Sequence, residues 1–419
     1  SGRLGAMIGK QPIRTLGFGI FTTLSDLAGL SPTISLLIVA RVFQAIGAAM
    51  IFAMGFAITT EACPPSERGR ALGINGSMVS LGIIVGPVLG GLIIDATNWR
   101  WIVLVNLPIG IIGTLTAIKF VPNIKPRTRQ RFDWIGGALF LVAFLAFLLS
   151  LTYGQEAGFA DPVVVVGTLI AVAAFALFIA AERRVAQPMV DLTLFRSSDL
   201  SVNLLTGFLQ FVSIAGLLIL LPFYLSDTLG YSTREVGFLL AAVPITLGIL
   251  APLSGSLSDR LGTRPVTVAG LVVTLVGYVA ARLVYAVDTT AMEFVVVGLI
   301  IGAGIGLFQS PNNSAILGSV PRERLGITSG MLTINRISGQ IVGIAVLGTV
   351  WATRTVAYAG GGTAESAPPA AQAEGLSDTL LVPIALMVIA LAVALLAWRS
   401  EREPRDAAPA GADSIPDQS

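Results

Sequence analysis

No histidine occurs anywhere in the 419 residues, and cysteine occurs once, at Cys63. Without histidine, imidazole acid–base catalysis is unavailable and most zinc sites lose a usual ligand. A lone cysteine cannot close an internal disulfide, and Cys63, ahead of Pro64 and Pro65 at a segment end, reads as a small packing residue. No metal and no cofactor is expected. Charge is scarce as well. Asp, Glu, Lys and Arg make up 12% of the chain, where an ordinary soluble domain carries about 25%. Hydrophobic residues make up 54%. A water-soluble core cannot hide that much apolar surface, so lipid is the expected solvent. The formal net charge of +2 gives no reason to expect a nucleic-acid partner.

What the chain does contain is long apolar runs. Stretches of spanning length, about 17–25 residues or more, fall near 13–30, 34–60, 71–95, 100–121, 134–153, 162–181, 200–225, 235–257, 265–285, 291–316, 326–352 and 378–398. Helices are expected, because in lipid every backbone amide must be satisfied within its own segment. Barrel strands would alternate in units of about ten residues, and these runs do not. The expected class is therefore an all-α polytopic membrane protein with twelve visible spans. Sidedness follows from Lys and Arg. With Gly2–Lys10 in the cytoplasm and sides alternating, most of the 26 basic residues fall on the inner face, and the outer face receives Arg100, Arg234, Arg282 and Arg354. Inner loops and the C-terminus are thus expected in the cytoplasm, and the chain in the plasma membrane. Val121–Phe132, with Lys125, Arg127, Arg129 and Arg131, and Arg183–Leu200 read as inner linkers beside anionic headgroups. Ala357–Asp378, rich in Ala, Gly and Pro, reads as a mobile outer loop, and the tail 401–419 as disordered.

The chain also repeats itself. A glycine-framed basic turn stands at Gly2–Lys10 and again at Gly255–Arg264, and Pro65-Ser66-Glu67-Arg68 is echoed by Pro321-Arg322-Glu323-Arg324. The offsets, 255 − 2 = 253 and 321 − 65 = 256, nearly agree. Duplicated bundles are how secondary transporters place a substrate site between halves. The expected division is a first bundle over 1–122, an inserted helix pair with basic linkers over 123–198, a second bundle over 199–400, and the tail.

Several motifs carry a family likeness. Gly255, Leu257, Asp259, Arg260, Gly262 and Arg264 match an inner-loop signature of roughly the form G-x-L-x-D-R-x-G-R-[RK]. In the first half Gly2, Leu4, Gly9 and Lys10 match, while Ala6 and Met7 replace the Asp-Arg pair. Arg41, Gln44 and Gly47 resemble a fourth-helix motif with a buried arginine. Gly82, Gly86, Pro87, Gly90 and Gly91 resemble a fifth-helix antiporter motif. Trp99-Arg100-Trp101, then Asn106, Pro108 and Gly110, and Phe132-Asp133-Trp134 with Gly136, extend the series. In this order they resemble the major facilitator superfamily and, within it, the fourteen-span drug:proton antiporters. The resemblance implies two pseudo-symmetric bundles with two extra inserted helices. Its register places about two further helices ahead of Gly2, with twelve of fourteen visible.

The same resemblance implies a proton-coupling role for Arg41, with Gln44 at i+3, and a pliant joint at Gly82, Gly86, Pro87 and Gly90. On the residues alone, a four-residue glycine spacing serves helix packing equally well. Asp259 and Arg260 read as a latch, the carboxylate pairing with a base or a neighbouring helix N-terminus. Arg336, flanked by Asn335 and with Gln340 at i+4, lies deep in an apolar span and reads either as a group meeting an anionic or hydrogen-bonding substrate atom or as a bridge between helices. Asn75, Gln210, Phe211, Gln309, Asn312 and Asn313 are the other candidates for a substrate-facing surface. Gly302-Ala303-Gly304-Ile305-Gly306 lacks the strand–turn–helix setting of a nucleotide loop and reads as a small-residue packing face.

The expectation is a proton-driven exporter of small lipophilic, often cationic compounds such as drugs or antibiotics, acting as a monomer by alternating access. An importer of a small nutrient or siderophore is the nearest rival. A non-transporting receptor or a membrane-bound enzyme is the rival of a different class.

Overall fold

The structure is a computed structural model and describes residues 2–121, 133–185, 197–321 and 324–402. The described residues contain helices and no strand. The helices are α1 Gly2–Ile8, α2 Lys10–Gly29, α3 Ile34–Ala62, α4 Arg68–Ala96, α5 Trp99–Leu104, α6 Asn106–Phe120, α7 Trp134–Ala157, α8 Pro162–Glu182, α9 Ser198–Phe223, α10 Thr233–Leu240, α11 Ala242–Leu261, α12 Thr263–Val284, α13 Ala291–Gly318, α14 Leu325–Ala359, α15 Pro369–Thr379 and α16 Leu381–Arg402. Among the described residues, 10 helical stretches are long and apolar enough to cross a membrane. The chain is a multi-pass membrane protein. The other two expected spans are also helices, α2 and α4. In α2 the apolar run is diluted by Lys10, Gln11, Arg14 and a cluster of Thr, Ser and Asp toward its end.

Helix starts follow local chemistry. Thr33, Asn98, Asp133, Asp161, Ser197, Ser232 and Thr290 each accept a hydrogen bond from a first-turn amide, which satisfies donors that have no partner within the helix. Ser232 with Glu235 and Thr290 with Glu293 form complete capping boxes. Glu293, at a helix start, has its carboxylate committed in this way.

The repeat is visible in the backbone. Gly9 (φ 114°, ψ 149°) separates α1 from α2, and Gly262 (φ 88°, ψ 157°) separates α11 from α12. Both lie in a region essentially closed to residues with a Cβ. Each turn is followed by an ion pair: Lys10 Nζ meets Glu61 Oε2 at 2.6 Å, and Arg264 meets Asp199. Gly262→Ala is expected to cost about 1–3 kcal/mol. Thermal unfolding in detergent would show it as a lowered Tm, with an unchanged Tm as the contrary result.

Packing differs between the halves. In the second, Tyr224, Tyr278, Tyr285, Phe294, Phe308, Leu347, Leu376 and Met387 belong to one large buried cluster. Gly302, Gly304 and Gly306 lie inside it against Val243, Thr274 and Leu250 of α11 and α12, a small-residue packing face. Among the described residues the first half shows small clusters of its own, around Met50 and Met54 and around Ala28 and Val103. Helices α7 and α8 pack chiefly on each other and reach the second half through α14.

One expectation about the elements needs correction. The stretch Ala357–Asp378 is not a mobile loop. It holds the end of α14 and most of α15, buries Ala364, Ala367, Ala371 and Leu376, and is tied down by Thr228 Oγ1 donating to Gln372 Oε1 at 3.1 Å. Its alanines suit a helix, three of its glycines form one turn with positive φ at Gly360, Gly361 and Gly362, and Gly375 lies within α15 against Thr355. The expected span near 100–121 is present as Trp99–Phe120, with α5 and α6 meeting at Val105, which keeps helical dihedrals (φ −59°, ψ −20°). The basic linkers expected within 121–132 and 183–200 fall largely outside the described residues, as do Arg322, Glu323 and the tail from 403.

Candidate functional site

A cavity of about 290 Å³ lies between the two halves. From the first half α3 contributes Ala45, Ala48, Ala49, Phe52 and Phe56, and α4 contributes Leu72, Gly76 and Val79. From the second, α9 gives Phe211, α11 gives Ala251, α13 gives Gln309, Ser310 and Asn313, and α14 gives Leu332, Thr333, Arg336 and Ile337. Small side chains on α3 leave room, phenylalanines supply ring faces, and the polar groups come almost wholly from α13 and α14. Gln309 and Asn313, four apart on α13, share one side of that helix. Neither makes a hydrogen bond to a described group.

Arg336 projects into this space. Its guanidinium carbon is 5.5 Å from the centroid of the Phe52 ring across the interface. Among the described residues it has neither an ion-pair nor a hydrogen-bond partner. An arginine at mid-membrane costs about 2.5–3.5 kcal/mol on insertion scales, and a ring face returns about 0.5–2 kcal/mol. Among the described residues, no Asp or Glu lines the cavity.

Other expected substrate groups lie in the wall or between helices. Asn335 donates to Leu204 O at 2.9 Å, tying α14 to α9. Gln210 is buried and donates to Thr274 Oγ1 at 3.3 Å, facing α12. Asn312 is buried against Gly207 with its Oδ1 unpaired. Asn75 donates to Thr59 Oγ1 at 2.8 Å, linking α4 to α3. Gln340 is half-buried, has no partner, and is not among the lining residues. Successive polar residues on a helix point in different directions, so Arg336 reaches the cavity while Asn335 turns to α9.

Arg41 does not occupy the buried position expected of it. It is exposed, and it donates to Gln44 Oε1 at 3.1 Å. Gln44 is the buried member and donates to Ser25 of α2. Gly47, one turn further on, lies against the backbone of Gly17 and Phe21. Next to Ser25, Asp26 has one buried carboxylate oxygen without a hydrogen-bond partner. The glycines Gly82, Gly86 and Gly90 likewise make no close approach, since a Cβ on any of them would meet nothing within 4 Å. The side chain of Pro87 lies outside the described set.

The close approach is elsewhere on α4. Gly69 and Gly73 face Gly255 and Ala251 of α11, and a Cβ on any of these three glycines would overlap the backbone of the opposite helix. Small residues four apart on both partners allow this contact. Asp259 Oδ1 accepts from the Gly69 amide at 2.9 Å and its Oδ2 from the Arg70 amide at 3.0 Å, so this carboxylate caps the N-terminus of α4 from the other half. Ser310 Oγ donates to Gly69 O at 2.7 Å and Ser77 Oγ to Gly248 O at 2.5 Å. Arg260 is exposed and takes no part. Below the cavity, Ala57, Leu72, Leu200, Leu204, Ile316, Leu317, Leu325 and Leu332 form a buried cluster drawn from both halves. It floors the cavity at the end holding Asp259. In the other half α1, with Ala6 and Met7, packs on α14 and offers no carboxylate. Phe52, Gly73, Ser77 and Ser310 did not stand out in the sequence. The paired four-residue spacings 69/73 and 251/255 were the signal available.

The Major Facilitator Superfamily profile matches residues 1–193 and 204–417. The chain belongs to the Major Facilitator Superfamily. It is therefore a transporter and not an enzyme. Among its superfamily relatives, the riboflavin transporter RibZ of Clostridioides difficile (strain 630) is 34% identical over 352 residues, covering 84% of this chain and 76% of that protein. The multidrug resistance protein Stp of Mycobacterium tuberculosis (strain CDC 1551 / Oshkosh) is 33% identical over 351 residues, covering 83% of this chain and 65% of that protein. The chain thus spans about two thirds to three quarters of the length of these relatives. The crystal structure of the human organic anion transporter MFSD10 (TETRAN) superposes with a TM-score of 0.65 at 17% identity, covering 92% of this chain and 79% of that one. That likeness is one of fold.

Proposed function

We propose that this superfamily member exports small lipophilic compounds, drugs or antibiotics among them, in exchange for protons, with the Gly69–Asp259 end facing the cytoplasm. The observation that carries the reading is the cavity itself. Both halves build it, its walls are mainly apolar with a few polar anchors, and such a space suits varied lipophilic cargo. The floor and the Asp259 cap hold the halves together at one end of the cavity, where a bundle that rocks about a central site must part. Resistance to drugs in the name of Stp supports the same reading. Arg41, Gln44, Ser25 and Asp26, close together on α2 and α3, are the groups we would test for proton coupling.

Everted membrane vesicles carrying the protein should accumulate a lipophilic dye when their lumen is acidified, and collapse of the pH gradient should release it. Dye movement indifferent to the gradient would sink the coupling. The name of RibZ favours a second reading, uptake of a small nutrient. Accumulation in right-side-out rather than everted vesicles would decide for it.

A further inference from the structure

Among the described residues lining the cavity, Arg336 alone carries a charge. Arginine keeps that charge in proteins. The Phe52 ring covers one face of the guanidinium, and no described group occupies its N–H donors. Those donors form a planar fork that fits two oxygens of a carboxylate or sulfonate at once. Around it stand ring faces at Phe52, Phe56 and Phe211, and on α13 the uncommitted amides of Gln309 and Asn313. No carboxylate among the described lining residues would neutralise a cation.

We propose that the cavity selects lipophilic aromatic anions, with Arg336 taking the anionic group, the phenylalanines taking the ring system, and Gln309 and Asn313 taking further polar atoms. This rests on the transport reading above and narrows its cargo, away from cationic compounds. Charge attraction sets the choice and aromatic packing supplies bulk affinity, so two cargoes of one shape and opposite charge should separate sharply.

The test is equilibrium binding to the protein in nanodiscs of neutral phospholipid, with empty discs subtracted. The probes are pyrenebutyrate, its methyl ester, and a pyrene of similar size bearing a quaternary ammonium. Pyrenebutyrate should bind at least about tenfold more tightly than either of the others. Arg336→Gln should bring the acid down to the level of the ester, and Arg336→Lys, which keeps the charge without the fork, should retain part of the preference. Equal affinity for all three probes, or a preference that survives Arg336→Gln, would overturn the assignment. If the preference holds but vesicles move none of the probes, export fails and the anion site stands. If vesicles export dyes while the discs show no charge preference, the reverse holds.

Discussion

Leucine in place of Gly255 should nearly abolish transport and lower the Tm. A Cβ at this position falls on the carbonyl of Gly69, and a backbone group cannot turn aside as a side chain can. Overpacking an ordinary core site costs about 1–3 kcal/mol. Here relief requires α4 and α11 to part, which also stretches the bonds from the Gly69 and Arg70 amides to Asp259 and from Ser310 to Gly69. Hydrogen bonds to a charged group are worth about 1.5–3 kcal/mol each. Several kcal/mol are therefore at stake, and about 1.4 kcal/mol already means tenfold in an equilibrium. Gly255→Ala places the same Cβ on the same carbonyl and should be impaired in the same direction by a smaller amount. Gly86→Leu, where nothing lies within 4 Å, is the comparison. Transport in vesicles and melting in detergent measure both effects. A fully active Gly255→Leu protein would contradict the close crossing of these helices.

Replacing Asp259 by Asn should loosen the floor of the cavity. Asn keeps one oxygen for the α4 amides but loses the second acceptor and the negative charge at the helix N-terminus. A loss of about 1.5–3 kcal/mol corresponds to roughly ten- to hundredfold in the balance between closed and parted halves. The single native cysteine makes the measurement simple. In a Cys63→Ser chain carrying Leu317→Cys, the new thiol sits at a floor position with 0% exposure. Maleimide labelling there should speed up about tenfold or more when Asp259→Asn is added. An unchanged rate would show that the carboxylate does not hold the halves together. Arg260→Gln should leave the rate unaltered, because that side chain is exposed and unpaired.

Much of this architecture was legible in the residues. Lipid as solvent followed from the scarcity of charge, the helices from the length of the apolar runs, and the duplication from two glycine turns that proved to share one backbone geometry at Gly9 and Gly262. Asp259 was legible as a helix-terminal carboxylate and Arg336 as an arginine with no apparent reason to be in an apolar span. Facing was not legible. A helix that is apolar nearly all round carries little directional pattern, so nothing in the sequence of α4 says that Gly69 and Gly73 meet another helix while Gly82, Gly86 and Gly90 do not. The same weakness explains why Asn335, Gln340, Asn75, Gln210 and Asn312 could not be told from Gln309, Asn313 and Arg336 before the helices were in place. Arg41 was misplaced for a related reason, since distance from a segment end measures depth and not which neighbour lies alongside. The α15 segment mixes Ala, Gly and Pro in a loop-like composition, yet its alanines favour helix.

One residue without a side chain links three helices. The amide of Gly69 is held by α11 and its carbonyl by α13. Both attachments belong to the backbone of one helical residue, so sliding that frees one strains the other. Separation at this point should accordingly be abrupt, a snap between two seated positions with little occupancy between them.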